Sequence, residues 1–217
     1  MIKCVLFDLD GTLADSVESI AVAGNKALKS VGLGPQPIEA YKYFAGDGAD
    51  TLIQKALKAA GDVECHLFEK AYMEYKKIFE RDCTYNVKVF PGIKELLDAL
   101  KKKGIKIGVI SNKPHLRTID VVETLFEKNY FDIIIGHKDG IPKKPDPTST
   151  IGAANDLGIE VEQCIYVGDT DVDMKTGLGA NMFTIGVLWG FRERAELEEF
   201  HPQAIIETPH EIMEYLI

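Results

Sequence analysis

The chain has 217 residues, of which 46% are hydrophobic and 27% charged, a balance typical of a folded globular protein and not of a disordered or fibrous one. With 34 acidic residues against 25 basic ones, its net charge at pH 7 is −9. Such a charge repels nucleic acids and anionic membranes at long range, so we expect neither as a partner. The length accommodates one or two domains, with a core that needs no disulfides.

The cysteines and the first residues of the chain indicate a reduced, intracellular environment. The four cysteines are scattered and form no CxxC pair, which argues against a zinc knuckle. The apolar run near the N-terminus stops at Asp8, too early for an export signal. No stretch approaches the roughly 20 apolar residues of a membrane span. We therefore expect a cytoplasmic protein, and the sequence leaves open whether it is a monomer or a homodimer.

The first predicted strand, residues 2 to 7, ends in an acidic turn. Asp8 and Asp10 follow it two residues apart, and Gly11 permits a turn that brings backbone amides toward a bound anion. A simple acidic turn is one alternative, because such turns are common. A calcium loop of the EF-hand type is excluded, because its sixth and twelfth positions would lack the required glycine and glutamate.

Residues 15 to 87 contain helical patterns and no comparable strand. The segments with helical periodicity are residues 17 to 31, 50 to 60 and 63 to 79. We therefore predict a helical domain inserted after the first strand. The remaining residues, 1 to 14 and 88 to 217, are expected to form a single α/β domain around it.

Short apolar strands and helices alternate again between residues 90 and 190. The strands are predicted at residues 105 to 110, 131 to 135, 164 to 167 and 182 to 187. They are apolar on both faces, as expected for a parallel sheet that is covered by helices on each side. The helical segments between them stop at glycines such as Gly104 and Gly158. With the first strand, this pattern predicts a doubly wound α/β fold with five parallel strands.

Polar residues follow three of these strands. Besides the acidic pair after the first strand, Ser111 and Asn112 follow the second, and Gly168 and Asp169 follow the fourth. Ligands of open parallel sheets bind outside the carboxyl ends of the strands, so we expect these residues to share one site. Taken alone, the Ser-Asn pair is typical of a helix cap, and the acids that end at Asp173 are typical of a charged helix N-terminus.

The loop at residues 143 to 147, Lys-Lys-Pro-Asp-Pro, adds a positive charge to this set. Its two prolines stiffen the chain and can hold an ammonium group in place, although a solvated surface loop is an alternative. Carboxylates alone cannot hold a phosphate, whereas Mg²⁺ takes carboxylate and phosphate oxygens together. The combination predicts a magnesium-dependent site for a phosphorylated ligand, with Lys144 on the phosphoryl group.

Four segments in this order resemble the motifs of the haloacid dehalogenase superfamily. They are DLDGTLADS at 8 to 16, SNKP at 111 to 114, KKPDP at 143 to 147 and GDTDVD at 168 to 173. The resemblance covers the whole chain and implies a Rossmann-like core with strand order 5-4-1-2-3 and an inserted helical cap. It also favours phosphoryl transfer, because the dehalogenase and phosphonate-cleaving branches do not carry an aspartate at the position of Asp10.

The same resemblance implies roles for individual residues. Asp8 corresponds to the nucleophile that forms an aspartyl-phosphate, and Asp10 to the general acid and base. The magnesium ligands would be Asp8, the backbone carbonyl of Asp10, and Asp169. Ser111 and Lys144 match the phosphate-binding positions. The secondary residues are Gly11 and Asn112 as further phosphate contacts, and Thr12 and Asp173 as supporting residues.

A glycine-flanked loop, Gly46-Asp47-Gly48, lies within the predicted insertion. It is similar to the cap loop of phosphoglycolate phosphatases, which implies that these three residues contribute to substrate specificity. The alternative is a turn between two helices with Asp47 or Asp50 as a helix cap. An acidic residue here also argues against a carboxylated substrate.

The predicted function is therefore magnesium-dependent hydrolysis of a small phosphomonoester. A sugar phosphomutase of the β-phosphoglucomutase kind has the same type of core and cap and is the first alternative. A non-enzymatic phosphorylation switch is the second, because such switches also combine aspartate, magnesium, a hydroxyl and a lysine on a parallel sheet.

Overall fold

The computed structural model describes residues 1 to 216, and the chain divides into two compact units. The α/β unit consists of Met1–Asp15 together with the chain from Val89 onward, and the helical unit is Ser16–Lys88. None of the helices described over residues 1 to 216 is both long and apolar enough to cross a membrane. All four cysteines are free thiols.

A parallel sheet of six strands forms the centre of the α/β unit. The strands of the chain are β1 (Cys4–Phe7), β2 (Ala14–Asp15), β3 (Lys88–Val89), β4 (Lys106–Pro114), β5 (Ile133–His137), β6 (Cys164–Gly168), β7 (Phe183–Val187) and β8 (Ala204–Ile206). The order in the large sheet is β5-β4-β1-β6-β7-β8, with every neighbouring pair parallel. Numbered within this sheet alone, the order is 6-5-4-1-2-3, which contains 5-4-1-2-3 as expected.

The prediction of five strands is wrong, because β8 adds a sixth at the edge beside β7. Its three residues are too few to produce a recognisable periodicity, and only pairing with β7 makes them a strand. The central strand β1 is buried along its whole length. A strand that is apolar on both faces requires cover on both sides, and this explains the continuous apolar runs in the sequence.

Nine α-helices and two short 3-10 helices, Val161–Gln163 and Pro209–Tyr215, lie in the described part of the chain. The α-helices are α1 (Val17–Ser30), α2 (Ala40–Phe44), α3 (Ala49–Ala59), α4 (Phe68–Asp82), α5 (Ile93–Lys102), α6 (His115–Leu125), α7 (Thr148–Asp156), α8 (Asp171–Gly179) and α9 (Arg194–Glu198). In α5, four apolar residues at helical spacing are buried, and two lysines occupy the last turn, where the helix dipole favours positive charge.

The helical unit contains α1 to α4. Helix α4 begins at Phe68 and not near residue 63, because the carboxylate of Asp62 accepts hydrogen bonds from the backbone N–H groups of His66 at 3.0 Å and Leu67 at 2.9 Å. These bonds stabilise a turn in place of the first predicted helical turn. Helix α2 was not predicted, since five residues are too short for a clear helical period.

Candidate functional site

The candidate site lies at the carboxyl ends of three adjacent strands. Strands β4, β1 and β6 are neighbours and parallel, so their ends meet at one edge of the sheet. Asp8 and Asp10 follow β1, Ser111 and Asn112 lie in the last part of β4, and Asp169 follows β6. The topology therefore brings together residues that are more than 100 positions apart in the sequence, as strand-end ligand sites require.

The ammonium group of Lys144 occupies the centre of this set. Its Nζ donates hydrogen bonds to Asp8 Oδ1 at 2.7 Å and to Asp173 Oδ1 at 2.8 Å. A third bond goes to the carbonyl oxygen of Ile110 at 3.1 Å, and the Lys144 side chain is only 4% exposed. Burial by itself would lower the pKa of Lys144, but the charges of Asp173 and Asp8 more than offset it and raise the pKa well above its usual value. The group is therefore a permanent buried cation, whereas its loop neighbours Pro145 and Asp146 are exposed, so the solvated-loop alternative fails for Lys144 alone.

The side-chain amide of Asn112 holds the backbone of Lys144 in position. Its Nδ2 donates to the carbonyl oxygen of Lys144 at 2.9 Å, and its Oδ1 accepts from the N–H of Lys144 at 2.8 Å. This two-bond pairing sets the point from which the lysine side chain reaches Asp8. The structure thus supports a positioning role for Asn112 in addition to the phosphate contact that the family resemblance implies.

The helix-cap interpretation of Ser111 and Asn112 is wrong. Both residues belong to β4, and Pro114 is the N-cap of α6, which begins at His115. The hydroxyl oxygen of Ser111 accepts a hydrogen bond from the N–H of Lys113 at 3.2 Å. A serine at the end of a buried parallel strand, 6% exposed, lies at the sheet edge where ligands bind.

Asp169 is fully buried and held from two sides. The hydroxyl of Thr12 donates to its Oδ1 and the N–H of Phe191 to its Oδ2, both at 2.8 Å. Glycines make room for this carboxylate, because a Cβ would lie 2.1 Å from Asp169 Oδ2 at Gly11 and 2.3 Å from Asp169 Cβ at Gly190. The hydrogen bond from Thr12 to Asp169 gives a structural reason for the supporting role predicted for Thr12.

Gly11 also has a backbone requirement of its own. Its φ of +90° lies in the region that favours glycine, and its N–H donates to the carbonyl oxygen of Ala14 at 2.9 Å. The amide is therefore used inside the loop. We attribute to Gly11 the shape of the turn and the space for Asp169, not a direct hydrogen bond to phosphate.

Asp173 combines a helix cap with a contact to Lys144 in the candidate site. Its Oδ2 accepts hydrogen bonds from the N–H of Thr170 at 3.1 Å and from the Thr170 hydroxyl at 2.6 Å. The Thr170 N–H bond forms a capping box at the start of α8, together with the bond from the N–H of Asp173 to the Thr170 hydroxyl oxygen at 3.4 Å. The Oδ1 of Asp173 faces Lys144. The interpretation of these acids as a charged helix N-terminus is therefore correct for Asp171 and Asp173, which lie in the first turn of α8, but it is only part of what Asp173 does. Asp171, in contrast, pairs with Lys175 at 2.7 Å at a partly exposed position.

Two contributors to the site were missed in the sequence. Tyr166 is fully buried on β6, and its hydroxyl lies 3.1 Å from both Lys144 Nζ and Asp173 Oδ1. Burial raises its pKa well above the usual value, so the phenol stays protonated and can donate to the carboxylate. The available signal was a phenol in an otherwise aliphatic strand. Trp189, whose Nε1 donates to the carbonyl oxygen of Thr12 at 2.9 Å, had no such local signal.

Lys113 is a third residue that the sequence did not single out, although it lies inside the SNKP segment. Its Nζ is 2.8 Å from Asp10 Oδ1, and its side chain is 3% exposed while that of Asp10 is 17% exposed. The site thus contains three ion pairs, and the two carboxylates that pair with Lys144 are more deeply buried than Asp10.

The carboxylates form a set of donors that suits a hard divalent cation. Oxygen atoms of Asp8, Asp169 and Asp173 all lie within 4.8 Å of one another, and all three residues are buried. Burial, with the nearby charge of Asp173, raises the pKa of Asp8 to about 7, and the same causes raise that of Asp169 well above its usual value. Carboxylate oxygens are the ligands that Mg²⁺ takes. The residues present therefore fit this ion, which would relieve the repulsion among them.

The raised pKa of Asp8 predicts how the metal-free protein responds to pH. The carboxyl titrates at its ordinary value of 3.8 in the unfolded chain and at about 7 in the folded one. Its contribution to stability is thus complete below 3.8 and is lost as the pH rises through about 7. In EDTA we expect a lower melting temperature at pH 8 than at pH 5.5, by about 2–4 °C for each kcal/mol lost.

Magnesium should oppose this trend, because a cation binds the ionised carboxylates. The increase in melting temperature on adding Mg²⁺ is therefore expected to be larger at pH 8 than at pH 5.5, as measured by scanning fluorimetry. The Asp8→Asn variant is the control, since it removes this titrating group and should reduce the metal-free pH dependence. An equal effect of Mg²⁺ at both pH values would contradict this prediction.

The loop predicted to confer specificity lies between α2 and α3 of the helical unit. Gly46 and Gly48 have φ values of +118° and +93°, and Gly48 is the N-cap of α3. Asp47 forms an ion pair with Lys55 at 2.9 Å. This pair offsets the negative charge of Asp47 within the helical unit, and it weakens the argument that this charge excludes a carboxylated substrate.

Comparisons with known proteins agree with this geometry. The model of a family described as haloacid dehalogenase-like hydrolase matches residues 5–187. A phosphoglycolate phosphatase of Aquifex aeolicus (strain VF5) is 34% identical over 215 residues, which cover 99% of this chain and 96% of the relative. One from Neisseria meningitidis serogroup A is 33% identical, with 99% and 94% covered.

Solved structures resemble the chain over its full length. A hydrolase of the haloacid dehalogenase-like family from Streptococcus pneumoniae superposes with a TM-score of 0.88 at 25% identity and covers 100% of this chain and 99% of that one. A chain from Lactobacillus delbrueckii subsp. bulgaricus gives a TM-score of 0.91 at 29% identity, with 99% and 98% covered. The similarity therefore extends over both units and is not confined to the motifs.

Proposed function

Because the chain belongs to the haloacid dehalogenase-like hydrolase family, we propose that it is a magnesium-dependent phosphatase that hydrolyses a small phosphomonoester through an aspartyl-phosphate. The observation that carries this proposal is the buried Lys144 ammonium, 2.7 Å from the carboxylate of Asp8. It puts a fixed cation beside an aspartate at the end of a central strand. Phosphoglycolate is the first substrate to test, because the curated relatives are phosphoglycolate phosphatases.

Asp8 is the proposed nucleophile. Its carboxylate oxygen attacks phosphorus, a bond forms between the two, and the bond from phosphorus to the ester oxygen breaks. Lys144 holds Asp8 Oδ1 at 2.7 Å and so orients the carboxylate before attack. The same ammonium is close enough to interact with the phosphoryl oxygens as their negative charge shifts during transfer.

Asp10 is the proposed general acid and base. In the first step it gives a proton to the leaving oxygen, which departs as an alcohol. In the second step it accepts a proton from the water that attacks the phosphorus of the aspartyl-phosphate. Inorganic phosphate leaves, Asp8 is regenerated as a carboxylate, and Asp10 holds a proton again for the next cycle. Ser111, at the end of the neighbouring strand, is proposed to donate its hydroxyl to a phosphoryl oxygen.

Asp8, Asp169 and the backbone carbonyl of Asp10 are the proposed ligands of Mg²⁺. The ion would neutralise part of the charge of carboxylates and phosphate, which makes binding of an anionic substrate beside several aspartates favourable. Thr12 and the N–H of Phe191 orient Asp169, each at 2.8 Å. Asp173 already forms hydrogen bonds with Lys144 and Thr170, so we assign it to positioning the ammonium group of Lys144.

Phosphate release from a panel of small phosphomonoesters, with Mg²⁺ and with EDTA, tests this function. We expect release in Mg²⁺ and a decrease of at least about 100-fold in EDTA, since the ion contributes several kcal/mol of charge stabilisation. Phosphoglycolate and sugar 1-phosphates belong in the panel. Equal release in EDTA would contradict the metal requirement.

Two other outcomes would replace the proposed function. Isomerisation of a sugar 1-phosphate without net release of phosphate would identify a phosphomutase. An aspartyl-phosphate that persists for hours with negligible turnover would identify a phosphorylation switch. Both are visible in the same reactions, by product analysis in the first case and by the mass of the intact protein in the second.

A further inference from the structure

We propose that Lys113 determines specificity, by favouring phosphoesters that carry a second anionic group on the leaving-group side. This inference rests on the proposed function and deepens it. The Lys113 ammonium lies 2.8 Å from Asp10 Oδ1 and its side chain is 3% exposed. The family resemblance implies no chemical role for Lys113, and the proposed reaction does not involve it.

Two buried lysines of the α/β unit contact different aspartates of the site. Lys144 contacts Asp8, the residue that would bond to phosphorus, whereas Lys113 contacts Asp10, the residue that would exchange a proton with the leaving oxygen. Lys113 therefore marks the side from which the leaving group departs. Its partner Asp10 is 17% exposed, compared with 10% for Asp8, so the pair lies nearer to solvent.

Distance puts the Lys113 ammonium within reach of the leaving group. A general acid lies about 2.6–3.2 Å from the oxygen to which it gives a proton. Where Oδ1 is the oxygen that exchanges the proton, the 2.8 Å between Nζ and Asp10 Oδ1 puts the ammonium within about 6 Å of the ester oxygen. A carboxylate one carbon beyond that oxygen, as in phosphoglycolate, can contact it directly.

Burying the charge of Lys113 costs desolvation free energy, and positioning Asp10 does not require a charge. Burying an ammonium is unfavourable, and a neutral amide or hydroxyl could donate a hydrogen bond to Asp10 at a lower desolvation penalty. A positive charge becomes useful when a second anion arrives. In the first proposed step Asp10 carries the proton that it gives to the leaving oxygen. The charge of Lys113 is then uncompensated and attracts an anionic leaving group.

The test compares 2-phosphoglycolate with 2-hydroxyethyl phosphate, a neutral analogue of similar size at the leaving group. The readout is the ratio of their kcat/KM values in the presence of Mg²⁺. We expect the wild type to prefer phosphoglycolate and Lys113→Met to lower the ratio by at least about 10-fold, as for loss of a charge-assisted contact. Effects on Asp10 itself apply to both substrates and cancel in the ratio.

Three further variants make the result interpretable. Lys113→Gln keeps a hydrogen-bond donor for Asp10 but no charge, so it should lose selectivity as Lys113→Met does. If Lys113→Met does not fold, Lys113→Gln alone provides the test. Lys113→Arg should retain the preference. Lys106→Met is the matched control. Lys106 lies at the opposite end of β4 from Lys113, and it forms a 2.7 Å ion pair with Asp132. Its ratio should equal that of the wild type.

The contrary results are distinct from failure of the proposed function. An unchanged ratio in Lys113→Gln, with both substrates slowed equally, would show that Lys113 only positions Asp10 and would overturn this inference while leaving a phosphatase. A wild-type preference for the neutral ester would overturn it as well. If the wild type releases phosphate from no phosphomonoester, the proposed function fails and this inference fails with it.

Discussion

Replacing Asp8 by asparagine is expected to lower phosphate release by about four orders of magnitude or more, the usual effect of removing a catalytic nucleophile. An amide does not form the aspartyl-phosphate, because its nitrogen and carbonyl oxygen are weak nucleophiles compared with a carboxylate. The geometry around the position should survive, since Lys144 keeps its 2.8 Å bond to Asp173. The measurement is kcat with Mg²⁺ and saturating substrate.

A matched aspartate provides the control for this variant. Asp171 belongs to the same acidic segment as Asp169, but it pairs with Lys175 at 2.7 Å and both side chains are at least a third exposed. Asp171→Asn removes the same charge outside the proposed chemistry and should leave kcat within about 2-fold, since such surface changes are usually small. Steady release that survives Asp8→Asn in a rigorously purified sample would contradict the proposed mechanism.

Replacing Lys144 by methionine is expected to reduce both stability and activity. The substitution leaves the carboxylates of Asp8 and Asp173 buried without their cation, and breaking such a pair from one side costs about 3–5 kcal/mol. In a chain of this size, this corresponds to a decrease in melting temperature of roughly 10 °C. Activity should fall at least about 1000-fold, because a cation that stabilises transferring charge is lost. Thermal unfolding and steady-state phosphate release measure the two effects.

The neighbouring lysine separates this effect from a general change in the loop. Lys143 lies in the same Lys-Lys-Pro-Asp-Pro segment but is only partly buried, so Lys143→Met should lower the melting temperature by less than about 3 °C. Mg²⁺ should recover part of the stability of Lys144→Met, since it can compensate the unpaired carboxylates. Equal effects of the two substitutions, or no change in stability for Lys144→Met, would contradict the role assigned to this ammonium.

Much of the site was predictable because its residues lie in the last part of a strand or directly after one. Asp8, Ser111 and Asp169 each come after a short apolar run, and parallel strands bring such positions to one edge of the sheet. The spacing of the motifs therefore carried real spatial information. The number of strands was less accessible, because β8 has three residues and becomes a strand only through its pairing with β7.

The missed residues share a different property: their importance depends on contacts at long range in the sequence. Lys113 meets Asp10 across 103 positions, and Trp189 donates to the carbonyl oxygen of Thr12 across 177 positions. Tyr166 contacts Lys144 across 22 positions. Hydrogen-bond partners of this kind have no periodic signal.

The sequence by itself determined the fold class, the family and the set of polar residues that gather at the strand ends, because apolar periodicity and motif spacing are local properties. The chain has a net charge of −9, and only the tertiary structure decided which charged side chains pair with one another within the site. There, two lysines neutralise two different aspartates, one beside the proposed nucleophile and one beside the proposed acid. The physical reason is that charge compensation and desolvation depend on distances of a few ångströms. Those distances arise only when β1, β4 and β6 lie side by side.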